Sequence, residues 1–281
     1  MKLLRWGASG HERPGLVDRS GRLRDVSSLL PDIDGPGLAT ALARLREVDA
    51  QSFPELDEGV RIGAPLRDVG KIICVGLNYA DHARETGQAT PAEPILFLKA
   101  TSSIVGPNDD IMLPPDAQKG DWEIELGVVI GKTARRVRAD DAMAHVAGLC
   151  IINDVSERSY QLERGGQWDK GKGCDTFCPL GPYLVTPDEI ACLRSLRLTC
   201  KVNGRTVQDG NTREMIFDVP FLVHYISQFM SLQPGDVIST GTPHGVGMGM
   251  KPPQWLREGD VVELAIDGLG SQRQRVGRYA S

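Results

Sequence analysis

The apolar residues of this chain arrive in short runs, each closed by Gly, Pro, Asn or Asp. The clearest are KIICVG (71–76), PILFLKA (94–100), DWEIELGVVIG (121–131), AGLCIIND (147–154) and GDVIST (235–240). Runs of this length bounded by turn formers predict buried strands. LTCKVNGRTVQ (198–208) predicts a hairpin, because Asn203-Gly204 supplies the positive φ values of a type I′ turn. GDVVELAIDGLG (259–270) is a further strand, and Arg19-Ser20-Gly21 marks an early hairpin. Helical spacing is confined to 37–50, Asn78–Thr86, Ser156–Arg164 and Asp218–Ser231. In the last, Asp218 is the expected N-cap and Pro220 sits in the first turn. Its stripe of Phe221, Leu222, Tyr225, Ile226 and Phe229 is expected to face the core. The expected class is α+β and β-rich, with few helices.

Pro54, Gly63 and Pro65 interrupt the pattern after the first helix. They divide the chain into a small N-terminal domain, 1–65, and a main domain, 66–281. Repeats of 20–50 residues and low-complexity segments are absent from the sequence.

Hydrophobic residues make up 41% and charged residues 25%, as in an ordinary globular protein, and the net charge is −5. That balance argues against a nucleic-acid surface; the basic cluster ARRVR (134–138) is too short to change it. No apolar leader or membrane span is evident near the N-terminus. The six cysteines form no C-x-x-C pair, so reduced thiols and a cytoplasmic location are expected. Cys174 and Cys178 are spaced poorly for zinc.

The run DWEIELGVVIG carries Glu123 and Glu125. Alternating strand side chains put both on one face, with Ile124 and Leu126 on the other. An edge strand with a solvated face explains such a pair. So does a hard dication, which offsets the repulsion of two buried carboxylates. Asp154, at the end of AGLCIIND, would complete a three-carboxylate site; alternatively it caps the helix that follows. His82 and Glu85 lie three apart on a helix face, where a carboxylate can orient an imidazole as a base. Lys170 and Lys172 sit among glycines in QWDKGKGCDTF (167–177). STGTPHGVGMG (239–249) offers hydroxyls and amides to an anion, yet it is neither a Walker loop nor a dinucleotide fingerprint.

Taken in order, GLNYADHARE, FLKATSSIVGPND, DWEIELGVVIG, INDVSERSYQ, KGKGCDTFCPLGP and STGTPHGVG resemble the fumarylacetoacetate hydrolase family over roughly residues 66–281. The resemblance is strongest to a branch that hydrolyses 2,4-diketo-3-deoxy sugar acids and is often labelled ureidoglycolate lyase. It implies a mixed β-sandwich roll, a homodimer, and a small keto-acid substrate, with no nucleic-acid or membrane partner. It implies Glu123, Glu125 and Asp154 as ligands of Mg2+ or Mn2+. His82 and Glu85 match the water-activating dyad, on a segment that acts as a lid, and Lys172 matches the catalytic lysine, with Lys170 a neighbour. Arg158, Gln161 and Thr242 match substrate-binding positions. His244 departs from the pattern, which more often has a small residue or proline there. The implied activity is metal-dependent hydrolysis of a C–C bond in a 2,4-diketo acid, releasing pyruvate. Decarboxylation or isomerisation of a keto acid, ureidoglycolate cleavage, and a non-catalytic metal-binding module are the alternatives.

Overall fold

A computed structural model describes residues 1–85, 87 and 89–280. The expected helix end at Thr86 and the last residue, Ser281, fall outside the described residues. An eleven-stranded mixed sheet forms the frame. Its main path runs Leu23–Asp25, Arg13–Val17, Lys2–Trp6, Cys178–Val185, Val146–Asn153, Ile124–Ile130, Val237–Ser239, Ile72–Gly76 and Ile95–Lys99. Most neighbours are antiparallel, whereas Val237–Ser239 runs parallel to Ile72–Gly76. A five-stranded sheet contains the Arg197–Val202 and Arg205–Asn211 hairpin, then Val261–Ile266, Gly270–Arg278 and Ile111–Leu113. No sheet closes into a barrel among the described residues. The β-rich α+β class expected from the short apolar runs is what the chain adopts.

The strand Ile124–Ile130 is buried along its whole length, because strands flank it and both faces are packed. Ile124, Leu126, Val128 and Ile130 enter one apolar cluster; Val129 joins a second with Cys150, Ile152 and Val237. The solvated-edge explanation of Glu123 and Glu125 therefore fails: the strand is paired along both edges, and both carboxylates are buried. The N-terminal strand Lys2–Trp6 pairs with Cys178–Val185, so residues 1–65 share backbone hydrogen bonds with the large sheet.

Helices form at Leu38–Arg46, Ala80–Glu85, Arg158–Glu163, Asp169–Lys172 and Val219–Phe229. Asp218 caps the last by accepting the Phe221 N–H at 3.1 Å, as its position before Pro220 predicts. The stripe of that helix is only partly core. Leu222, Val223 and Ile226 are buried, but Phe221 and Phe229 are exposed, because the row 221, 225, 229 shares one face of the helix and the row 222, 226 shares the neighbouring face that meets the core. A second correction concerns Asp154. It does not cap the following helix; the Glu157 carboxylate does, accepting from the Ser159 N–H. The turn at Asn203 and Gly204 has φ of 52° and 78°, the two positive values expected of it. No helix among the described residues is long and apolar enough to cross a membrane.

Candidate metal centre and active site

The antiparallel register sets Ile124 opposite Asn153 and Glu125 opposite Ile152. Continuing it by one residue brings Glu123 beside Asp154, whose N–H donates to the Glu123 carbonyl at 2.9 Å. Glu125 follows on the same face as Glu123. One oxygen from each of Glu123, Glu125 and Asp154 lies within 4.8 Å of the others, and all three residues are buried. The sequence brought two of these carboxylates together; sheet register supplied the third.

Four buried carboxylates, with Asp121 as the fourth, face three buried cations. Lys172 donates to Glu123 Oε2 and to Asp154 Oδ2, both at 2.7 Å. Lys99 donates to Asp154 Oδ1 at 2.7 Å, to the Val155 carbonyl at 3.1 Å, and to the Lys172 carbonyl. Arg158 reaches Glu123 Oε1 at 2.5 Å, Asp121 Oδ2 at 2.8 Å and Gln161 Oε1 at 2.9 Å. Four negative charges against three positive leave one negative charge in excess. The excess falls on Glu125, which has hydrogen bonds from Ser239 (2.6 Å) and the Gly241 N–H (2.8 Å) but no cation of its own. Burial, then Asp154 and Glu123, push its carboxyl well above the usual range. Burial would raise Glu123 too, yet Lys172 and Arg158 outweigh it and hold that carboxyl low. Burial opposes the Lys172 ammonium, but Asp154 and Glu123 overcome it and raise its pKa.

An all-oxygen donor set with one uncompensated negative charge fits a hard dication such as Mg2+ or Mn2+. Glu125 would gain most from such an ion, which would supply a positive neighbour close to its carboxylate.

A cavity of about 700 Å³ opens above these groups, lined by Glu123, Glu125, Lys172, Arg158, Gln161 and Thr242 on its polar side. Asp154 has no exposed surface and lies behind this wall. His82 and Glu85 complete the polar lining, from the helix Ala80–Glu85. The His82 Nδ1 stands 3.3 Å from Glu85 Oε2, so the i, i+3 spacing brings the two side chains together. The Gly245 N–H binds both Glu85 oxygens at 3.0 Å, which fixes the carboxylate from the opposite loop. His244 Nδ1 reaches Asp81 Oδ2 at 2.7 Å, a second link between the same loop and helix.

Two candidate residues have limited freedom. The Thr242 hydroxyl donates to the Ile124 carbonyl at 2.9 Å and accepts from Gln208 at 2.8 Å, so donating to a ligand requires the first bond to open. Arg158 already uses its guanidinium on Asp121, Glu123 and Gln161, whereas the Gln161 NH2 group has no hydrogen-bond partner among the described residues. Lys170 donates to the exposed Arg164 carbonyl at 2.7 Å and takes no part in the cluster. Ser239 lies in the loop that sequence reading offered to an anion, and its hydroxyl binds the Glu125 carboxylate, whereas Lys99, Asp121 and Gln208 were missed. Only Lys99 left a signal: a lysine ending the apolar run PILFLKA.

The fumarylacetoacetate (FAA) hydrolase C-terminal family matches residues 71–277. A Burkholderia ambifaria protein named only as a hydrolase is 56% identical over 276 residues, covering 98% of each chain. The solved fumarylacetoacetate hydrolase of Exiguobacterium antarcticum superposes with a TM-score of 0.88 at 40% identity, over 99% of this chain and 100% of that one. A maleylpyruvate hydrolase from a Sphingobium species, solved with manganese and pyruvate, aligns over the full length of both chains at TM-score 0.80 and 28% identity. The match over most of the chain, the shared fold and the buried acidic triad lead to one conclusion: this chain belongs to the fumarylacetoacetate hydrolase family of enzymes.

Proposed function

We propose that the chain is a divalent-metal-dependent hydrolase that breaks a C–C bond in a 2,4-diketo acid and releases pyruvate. The observation that carries this reading is the convergence of Glu123, Glu125 and Asp154 beneath a cavity that also holds the His82–Glu85 pair and the Lys172 ammonium. The three carboxylates would hold Mg2+ or Mn2+, which when bound acts as a Lewis acid toward the keto acid.

The residues of the chain divide the remaining work. Glu85, held by Gly245, accepts from His82 Nδ1 and makes Nε2 the basic nitrogen. Nε2 takes a proton from the water that attacks the C4 carbonyl. Lys172, kept charged by its carboxylate neighbours, donates to the oxyanion that develops there. Breaking the C3–C4 bond leaves a carboxylic acid from the acyl half and the enolate of pyruvate. Lys172 or water returns a proton to C3. The Gln161 amide NH2, on the cavity wall, would bind the substrate carboxylate. The His–Glu dyad supports water attack over decarboxylation or isomerisation, neither of which consumes water.

The test is pyruvate release from a panel of 2,4-diketo acids with and without Mg2+, with both products weighed by mass spectrometry. The reading expects Mg2+-dependent pyruvate and one added oxygen in the partner acid. His82→Ala should lower the rate at least a hundredfold while Mg2+ affinity stays within about twofold. Unchanged turnover in that variant removes His82 from the chemistry. A metal-binding chain silent on every diketo acid overturns the hydrolase reading.

A further inference from the structure

The cavity has two unlike walls. Its metal end is built from charged and amide side chains, but the rest is lined by Ile95, Phe97, Leu162, Trp168, Met248 and Met250. Phe97 joins the two regions. The Lys172 Nζ lies 5.3 Å from its ring centroid, and Trp168 packs edge-to-face against the same ring at 5.4 Å. Trp168 can lie this close to the sheet because residue 76 is glycine: a Cβ there would stand 2.7 Å from Trp168 Cζ3. The aromatic corner is thus fixed by packing. At the mouth, Ile95 and Leu162 are 37% and 47% exposed, large apolar side chains left in water beside a cavity. Exposed apolar surface that flanks a cleft marks a ligand groove. Among the described residues, the only charged side chain on this wall is Lys251, which is exposed.

We propose that the substrate's acyl group beyond C4 is an apolar alkyl or aryl chain, seated against Phe97, Trp168 and Leu162, and not a polyhydroxylated sugar tail. This rests on the 2,4-diketo-acid reading above. A methylene buried on this wall gains a few-fold in affinity, roughly fourfold each. A hydroxyl pressed onto it loses its water partners and costs roughly tenfold. The wall selects between the two tails, while the metal end binds the keto-acid head they share.

Two measurements separate this inference from the reading it rests on. The first is kcat/KM for acetyl-, butanoyl-, hexanoyl- and benzoylpyruvate and a length-matched 2,4-diketo-3-deoxy sugar acid, with Mg2+ present. We expect about a fourfold rise per methylene until the wall is filled. The sugar acid should fall at least tenfold below hexanoylpyruvate. The second is calorimetric binding of 2-oxobutanoate through 2-oxooctanoate with Mg2+. These acids lack the C4 ketone, so they report on the wall without turnover. A chain-length slope in binding with no diketo acid cleaved sinks the hydrolase reading and keeps the apolar wall. Turnover with no slope in either series, or a sugar acid that matches hexanoylpyruvate, sinks the apolar wall and keeps the hydrolase. Trp168→Ala and the surface variant Leu162→Asn should each flatten both slopes; slopes unchanged in both variants also overturn the proposal.

Discussion

Replacing Lys99 by methionine keeps the length of an apolar stem and deletes a buried charge. Lys99 has a fully buried side chain, and its ammonium lies 2.7 Å from Asp154 Oδ1. At an effective dielectric of 20, that separation corresponds to roughly 6 kcal/mol of attraction, part of which desolvation cancels. Truncating one partner of such a pair typically leaves a net loss of about 3–5 kcal/mol. Charge counting shows why this site cannot absorb the change. Asp121, Glu123, Glu125 and Asp154 already exceed Lys99, Lys172 and Arg158 by one, and a proton on Glu125 can cancel that single excess. Without Lys99, the excess rises to two negative charges, and Asp154 keeps Lys172 alone as its cation. The Val155 and Lys172 carbonyls lose their donor as well. Urea denaturation of Lys99→Met in a chelator should show the full loss, or a fall in Tm of about 6–20 °C. Saturating Mg2+ should return part of it, since the ion brings positive charge to Asp154. A variant within about 1 kcal/mol of the parent in the chelator, or a loss equally large with Mg2+, would refute the electrostatic account.

Glu125→Gln should cost little stability in a chelator, because burial, Asp154 and Glu123 already favour the neutral form of that carboxyl, while Mg2+ affinity falls at least tenfold. Full activity of the chelator-treated variant would rule out its role as a ligand. The raised pKa of Glu125 sets a pH dependence. The native chain favours a proton on Glu125 that the unfolded chain gives up above about pH 4.5, so the contribution of Glu125 to ion-free stability is full below that and is lost as pH rises through the raised value. Adding Mg2+ must expel this proton; calorimetry in buffers of differing ionisation enthalpy should count about one released per ion, and none would contradict the assignment. His244→Ala should cost at most about 1 kcal/mol of stability, since the side chain is half exposed, yet lower kcat by loosening the helix that carries His82. An unchanged kcat would make the Asp81 contact decorative. Gly249→Ala places a Cβ 2.5 Å from Glu85 Cδ and should reduce kcat with little change in Mg2+ binding; wild-type turnover would show that Glu85 does not need its present position.

Local chemistry made much of this protein legible. Apolar runs closed by turn residues located the strands, Asn203-Gly204 the hairpin, and Asp218-Val219-Pro220 the start of a helix. The three-residue spacing of His82 and Glu85, and the alternation of Glu123 and Glu125, are geometric facts of a helix and a strand that hold wherever those elements lie. Tertiary structure decided what became of those side chains. Whether Glu125 is ionised depends on Asp154, Glu123 and the distance to any cation, and of these only Glu123 is visible in the adjacent sequence. Lys99 and Asp121 looked like ordinary members of their strands until sheet register and burial set them against Asp154 and Arg158. The apolar wall draws on Ile95, Phe97, Leu162, Trp168 and Met250, which come from four separate segments and meet only once the sheet has formed. Periodicity is a property of a few consecutive residues, whereas desolvation and charge compensation are properties of everything within several ångströms, and only the folded chain determines what that is.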